Sequence, residues 1–189
     1  TGSIYMECEK GHLHASIFSD VIIRRPSDFS IAEIGENYLG KLNLAKKMIL
    51  EAKKAGADYA KFQSYNELCL KKNDPEYNWF KKVSLTDKNH IDLKKYSKKK
   101  NIKFLSSPFS LERAEFLCEK LNMQTIKVAS SKMHEKNILK YLNQKCKRIF
   151  LSTGMSTIKE IKNAIDTLIK ISFKSRSSYN ALCKRIPLI

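Results

Sequence analysis

The sequence predicts an α/β protein of the (β/α)8 TIM-barrel type, with only about the first five βα units present, and three observations lead there. The 189 residues suit one domain with room for a sizeable core. Five short apolar runs alternate strictly with five amphipathic stretches, the pattern of parallel strands joined by right-handed crossovers. Each run ends in polar residues: Glu33, Lys61 with Gln63, Ser106 with Ser107, Lys127 with Ser130, and Ser152 with Thr153. Alternation alone admits an open doubly wound sheet as well as a closed barrel. The polar strand ends favour the barrel, where all of them converge on one mouth; in an open sheet only those near a switch point would share a pocket.

The elements follow in order. SIAEIG is the first strand, and after Gly40 a helix carries Ala45, Met48, Ile49 and Ala52 at helical spacing and closes at Ala55-Gly56. ADYAKFQS is the second strand. A long polar connection follows with Asn73-Asp74-Pro75 and the only tryptophan, Trp79, and then a helix over 86–100. IKFLSSPF is the third strand, and its helix places Ala114, Leu117, Cys118 and Leu121 on one face. TIKVASS leads to a shorter helix through Ile138, Leu139 and Leu142, and RIFLSTGMS to a last helix. That helix opens on Thr157 and Glu160 in capping-box register and continues through Ile161, Ile165, Leu168 and Ile169. The organisation expected is an N-terminal extension over 1–28, the partial barrel over 29–170 and an unassigned basic tail over 171–189.

Composition narrows the function classes. A 42% hydrophobic and 10% aromatic content excludes a disordered chain. The net charge of +17 suits a phosphate-bearing partner, whether a small anion or nucleic acid, and equally suits lysine-rich solvated helix faces. Five cysteines with no C-x-x-C spacing argue against a disulfide framework and a zinc ribbon and fit a reducing cytoplasm. No apolar stretch approaches the roughly eighteen residues of a membrane span, and no signal-peptide pattern opens the chain. The basic run LKKYSKKKNIK ends a helix, where lysines suit the macrodipole. Cys8, His12 and His14 lack a completing ligand and read as surface residues. His90 and His134 read as solvent-facing, without a role. Tyr77, Trp79 and Phe80 either cover a substrate at the mouth or pack their loop down.

Two lysines and several hydroxyls at one mouth are what a phosphate monoester requires: point charges for roughly two negative charges and short donors for its oxygens. Lys61 and Lys127 each sit among apolar residues, where an ammonium is costly without a partner or ligand. The alternative reading is an internal ion pair of Glu33 with Lys61 or Lys127.

These residues carry a resemblance. FSIAEIGENYLGKLNLAKKMILEAKKAGADYAKFQS resembles the opening of the N-acetylneuraminate (sialic acid) synthase family, with its A-E-I-G-x-N-H-x-G strand and loop and its A-x-K-F-Q second strand. IKFLSSPFSLERAEFL, TIKVASS and IFLSTGMSTIKEI resemble its later blocks in the same order, so the likeness spans about residues 29–170. It implies condensation of phosphoenolpyruvate with an N-acylated hexosamine, of the N-acetylmannosamine type, in the cytoplasm. It also implies that Lys61, Ser107, Lys127, Ser130 and Ser152 hold phosphoenolpyruvate, that Gln63 faces the sugar, and that Glu33 is the catalytic carboxylate at the reacting centre. A divalent metal, Mn or Mg, is expected for the family, with its histidine ligands on later strands and none in this chain. Two positions depart from the pattern: Asn37-Tyr38 replaces Asn-His, and Ser131-Lys132 replaces glycine and an acidic residue. Five units of an eight-unit barrel would leave two sheet edges suited to a second copy or a complementing fragment. The competing readings are an inactive remnant serving as a phosphate-binding or interaction module and, more weakly, a basic nucleic-acid-binding domain without a recognisable motif.

Overall fold

The structure is a computed structural model that describes residues 3–8, 11–16, 29–66, 69, 72–154 and 156–169. The chain divides into two compact units, Thr1–Leu105 and Ser106–Ile189. The tail over 171–189 and the side chains of Cys8, His12 and His14 lie outside the described residues.

In the first unit, β1 (Ser3–Cys8) and β2 (Gly11–Ser16) pair antiparallel. β1 also pairs antiparallel with β3 (Ser30–Gly35), so the sequence-based extension contributes two strands to the sheet. β3 runs parallel to β4 (Tyr59–Ser64), and the sheet order is β2-β1-β3-β4-β5, with β5 at Lys103–Pro108. Five of six residues in both β3 and β4 are buried, the signature of a parallel sheet covered on both faces.

Between β3 and β4 lies α1 (Leu42–Lys54), which buries Ala45, Ile49 and Ala52 from one stripe. Its end is a Schellman motif: Gly56 N–H donates to Lys53 and Ala57 N–H to Ala52, with Gly56 at φ +80°. The same bonding ends α3 (Asp87–Lys99), where Asn101 takes the left-handed position at φ 56° and Ile102 N–H reaches Ser97. Thr86 caps the start of α3, accepting from Asn89 N–H at 3.2 Å. The polar connection after β4 contains an additional helix, α2 (Tyr77–Val83).

His90 corrects the sequence reading. It is wholly buried, with Nδ1 3.1 Å from the Thr86 carbonyl and its ring edge-on to Phe104. α3 has few apolar residues, and either Ile91 or His90 could have marked its inner stripe. The structure buries His90 with Leu93 and Ser97 and leaves Ile91 37% exposed.

Asp58 ties the N-terminal ends of the strands together. Its carboxylate accepts from Ser30 N–H at 2.7 Å, its N–H donates to the Ser30 carbonyl at 3.0 Å, and its carbonyl accepts from Lys103 N–H at 3.0 Å.

In the second unit, α4 (Leu111–Glu115) passes into a π-helical turn, Phe116–Lys120. Ala114, Leu117, Cys118 and Leu121 are all buried, as their spacing predicts. β6 (Thr125–Val128) runs parallel to β7 (Arg148–Leu151), with Lys127 opposite Phe150. α5 (Lys136–Lys145) buries Ile138, Leu139 and Leu142. α6 (Ile158–Ile169) starts with the predicted capping box: Thr157 N–H donates to Glu160 at 2.7 Å and Glu160 N–H to the Thr157 hydroxyl at 3.3 Å. Among the described residues no helix is long and apolar enough to cross a membrane.

Candidate active site at the strand ends

Glu33 and Lys61 stand directly opposite each other on the parallel strands β3 and β4. Lys61 Nζ donates to Glu33 Oε1 at 2.7 Å. The two ends of this pair differ in exposure: the lysine side chain is 3% exposed and the glutamate 29%. An ammonium sealed in this way needs compensation nearby, and the carboxylate supplies it while keeping contact with solvent. The ion pair anticipated from sequence therefore forms with Lys61. Gln63, two residues on and so on the same face of β4, is half-buried.

Immediately after Glu33 the β3–β4 register shifts, with Gly35 at φ +54° opposite Phe62. The chain then turns through Glu36–Gly40, where the Asn37 side chain donates to the Ile34 carbonyl at 2.9 Å. Tyr38, at the position where histidine was the expected residue, is buried. Its hydroxyl donates to the Val83 carbonyl at the end of α2, and its ring packs 5.9 Å from Phe62. Burial, and secondarily the charge of Glu36, raises its pKa, so the phenol stays protonated. Tyr38 thus joins a loop to a helix. Gly40 is required at its place: at φ +74°, a Cβ would meet the Lys82 carbonyl oxygen at 2.6 Å.

α2 presents three aromatic side chains in different ways. Phe80 packs edge-on against Tyr65 at 5.3 Å, Tyr77 is half-buried, and Trp79 remains 40% exposed with Nε1 3.4 Å from Glu36 Oε2. The Tyr65 phenol is buried, and its pKa is raised by that burial first and by the Glu36 carboxylate next. Glu36 and Tyr65 were not singled out from sequence. The available signal was a second carboxylate, beside the first glycine of the loop.

The other predicted residues lie along β5 and in the second unit. The hydroxyls of Ser106 and Ser107 on β5 are completely buried, and no described residue hydrogen-bonds them. Orphaned buried hydroxyls are costly. Lys127 is half-buried on β6. Ser130 opens a 3₁₀ turn, Ser130–Lys132, just past that strand, and Ser152 extends β7 by donating its N–H to the Val128 carbonyl at 3.1 Å. Lys127, Ser130 and Ser152 thus share the C-terminal ends of one parallel pair. Lys132, at the charge-reversed position, reaches Glu135 at 3.6 Å. The described residues gather no group of three or more His, Cys, Asp or Glu able to hold a metal ion. By themselves they do not fit the divalent metal that the resemblance implies.

Comparison with known proteins adds the following. The profile of the NeuB family matches residues 48–186. An N,N'-diacetyllegionaminic acid synthase of Campylobacter jejuni is 37% identical over 162 residues, covering 78% of this chain and 48% of that protein. The enzyme of the same name from Legionella pneumophila is 31% identical over 169 residues, covering 82% and 47%. The crystal structure of the N-acetylneuraminic acid (sialic acid) synthetase from Leptospira borgpetersenii, in complex with citrate, superposes with a TM-score of 0.71 at 28% identity, covering 88% of this chain and 56% of that one. The chain thus spans about half the length of these relatives.

Proposed function

The chain belongs to the NeuB family, and on that footing we propose that it forms part of an enzyme condensing phosphoenolpyruvate with an N-acylated hexosamine to give a nonulosonic acid and inorganic phosphate. The observation that carries this reading is the Glu33–Lys61 pair: a sealed cation and a wetted carboxylate within adjacent parallel strands, in a fold type that places its chemistry toward the C-terminal ends of such strands.

In the proposed reaction C3 of the enol attacks the sugar aldehyde carbon, forming the new carbon–carbon bond while the aldehyde oxygen takes up a proton. The positive charge left at C2 is met by water, and the resulting tetrahedral centre releases phosphate with its bridging oxygen. Lys61 and Lys127 supply point charges for the phosphate and carboxylate of phosphoenolpyruvate, and Ser107, Ser130 and Ser152 supply short donors. The unpartnered, buried Ser107 hydroxyl supports that assignment. Glu33, partly exposed beside Lys61, offsets the developing charge at C2 and orients the water. Gln63, on the Lys61 face of β4, is assigned to the sugar. Relatives named for legionaminic acid and for sialic acid both match, so the acyl pattern of the sugar is left to experiment. Cytoplasmic residence accords with that reading.

The test is release of inorganic phosphate from phosphoenolpyruvate plus N-acetylmannosamine, with and without manganese, alongside thermal protection by phosphoenolpyruvate alone. Protection that is lost in Lys61→Ala and Lys127→Ala supports the binding assignments. Protection without phosphate release favours the phosphate-binding module, and absence of both overturns the reading.

A further inference from the structure

Trp79 and Glu36 form a feature that the chemistry above does not use. The loop carrying Glu36 leaves the C-terminal end of β3, and the connection carrying Trp79 leaves the C-terminal end of β4, its parallel neighbour. Both therefore leave the sheet at its C-terminal end, beyond the Glu33–Lys61 pair. Within this unit α2 is tied to the loop by Tyr38, which donates to the Val83 carbonyl, and to the end of β4 by Phe80, which packs on Tyr65; Gly40 leaves no room for a Cβ beside the Lys82 carbonyl. The helix is anchored by these contacts, yet its largest side chain is left 40% exposed. A tryptophan that served only to pack the connection would bury its ring, as Val83 buries its side chain.

The indole N–H points at Glu36, which orients the ring toward the loop. A carboxylate has about four acceptor positions; the indole takes one and the Tyr65 hydroxyl bears on another, so Glu36 retains capacity for a further hydroxyl donor. Its negative charge disfavours an anion at this spot, whereas the lysines favour one.

We propose that Trp79 and Glu36 form a platform for the neutral acceptor sugar, the indole face stacking on the C–H face of the pyranose and Glu36 accepting from a ring hydroxyl. The proposal rests on the condensing-enzyme reading and adds to it which residues receive the second substrate. An aromatic face next to a fixed acceptor suits a ring that is apolar on its faces and polar at its rim.

The chain has one tryptophan, so emission excited selectively at the indole, past the absorption of the tyrosines, reports this platform alone. N-acetylmannosamine is titrated into the full chain with and without saturating phosphoenolpyruvate, in the wild type, Glu36→Gln and Glu36→Ala; Trp79→Ala is followed by calorimetry. The expected result is a saturable emission change, sugar binding weakened about tenfold in Glu36→Ala and less in Glu36→Gln, which keeps an acceptor, and lost in Trp79→Ala. Phosphoenolpyruvate protection should persist in every variant, which also shows that each one folds. Protection by phosphoenolpyruvate with no indole response to sugar, or unchanged sugar affinity in Glu36→Ala and Trp79→Ala, overturns the platform and leaves the condensing reading standing. No response to either ligand overturns both.

Discussion

Replacing Glu33 with alanine should destabilise the protein more than replacing Lys61 with methionine, and the unequal burial of the pair sets the size of the difference. At 2.7 Å and an effective dielectric of about 20, the attraction is roughly 6 kcal/mol before desolvation is subtracted. Removing one partner of a buried pair costs about 3–5 kcal/mol when the survivor is left sealed. The survivor in Glu33→Ala is a lysine 3% exposed, with other polar contacts nearby, so a loss of about 2–3 kcal/mol is expected. The survivor in Lys61→Met is a carboxylate 29% exposed, which water can rehydrate, and the loss falls to about 1 kcal/mol. For a chain of this length, about 2–4 °C per kcal/mol converts these to a drop of roughly 4–12 °C against roughly 2–4 °C. Thermal unfolding followed by circular dichroism measures both. Phosphoenolpyruvate should then raise the midpoint of Glu33→Ala more than that of the wild type, because its anion takes the place of the lost carboxylate. If Lys61→Met proves the more destabilised variant, the account of a sealed cation held by a wetted carboxylate is wrong.

Gly40→Ala should cost about 2 kcal/mol or more, from the 2.6 Å approach to the Lys82 carbonyl and the positive φ. Gly154→Ala, with nothing within 4 Å of its added Cβ, should be close to neutral in the same denaturation assay. The Glu160 carboxylate is held below the usual range first by the Thr157 N–H and then by the Thr157 hydroxyl. A depressed folded pKa contributes stability above the ordinary glutamate value of about 4.3 and loses it as pH falls through the folded value. Fraying at the start of α6, read by backbone NMR, should therefore set in below about pH 4 and lose that pH dependence in Glu160→Gln. Among the described cysteines, Cys69 is exposed, while Cys118 and Cys146 are buried with their sulfurs 3.6 Å apart. A thiol reagent followed by peptide mapping should modify Cys69 in the native protein and reach the other two only on unfolding.

What could be read from the sequence was what repeats locally. The βα alternation, the Gly56 cap, the Thr157–Glu160 box and the buried face of α4 all depend on residues within one or two turns of each other, and each is present. Glu33 and Lys61 stood out for a similar reason, each being a charge in an apolar run; the sequence reading puts them at strand ends, whereas both lie within their strands. What escaped was non-local or too short to show a period. α2 has only seven residues, fewer than the window in which a helical stripe becomes visible. His90 lies in a helix so polar that the inner face was set by packing against Phe104 on another element. The contact of Glu36 with Trp79 spans 43 positions, and no motif at either end announces it. The family and the (β/α)8-barrel type of fold were legible because five blocks kept their order and spacing, which is stronger information than any one block carries.

Asp58 has a bearing on the chemistry that its location hides. It lies three residues before Lys61, about 10 Å along an extended strand, and is not itself assigned to substrate. Yet a slip of one residue between β3 and β4 would turn Lys61 to the opposite face of the sheet and separate it from Glu33. Such a slip would break the bonds by which Asp58 holds Ser30 and Lys103. A carboxylate at the quiet end of the sheet thus acts as an alignment key for the reactive end. Wear at that key should show as a misplaced cation before it shows as an unfolded chain.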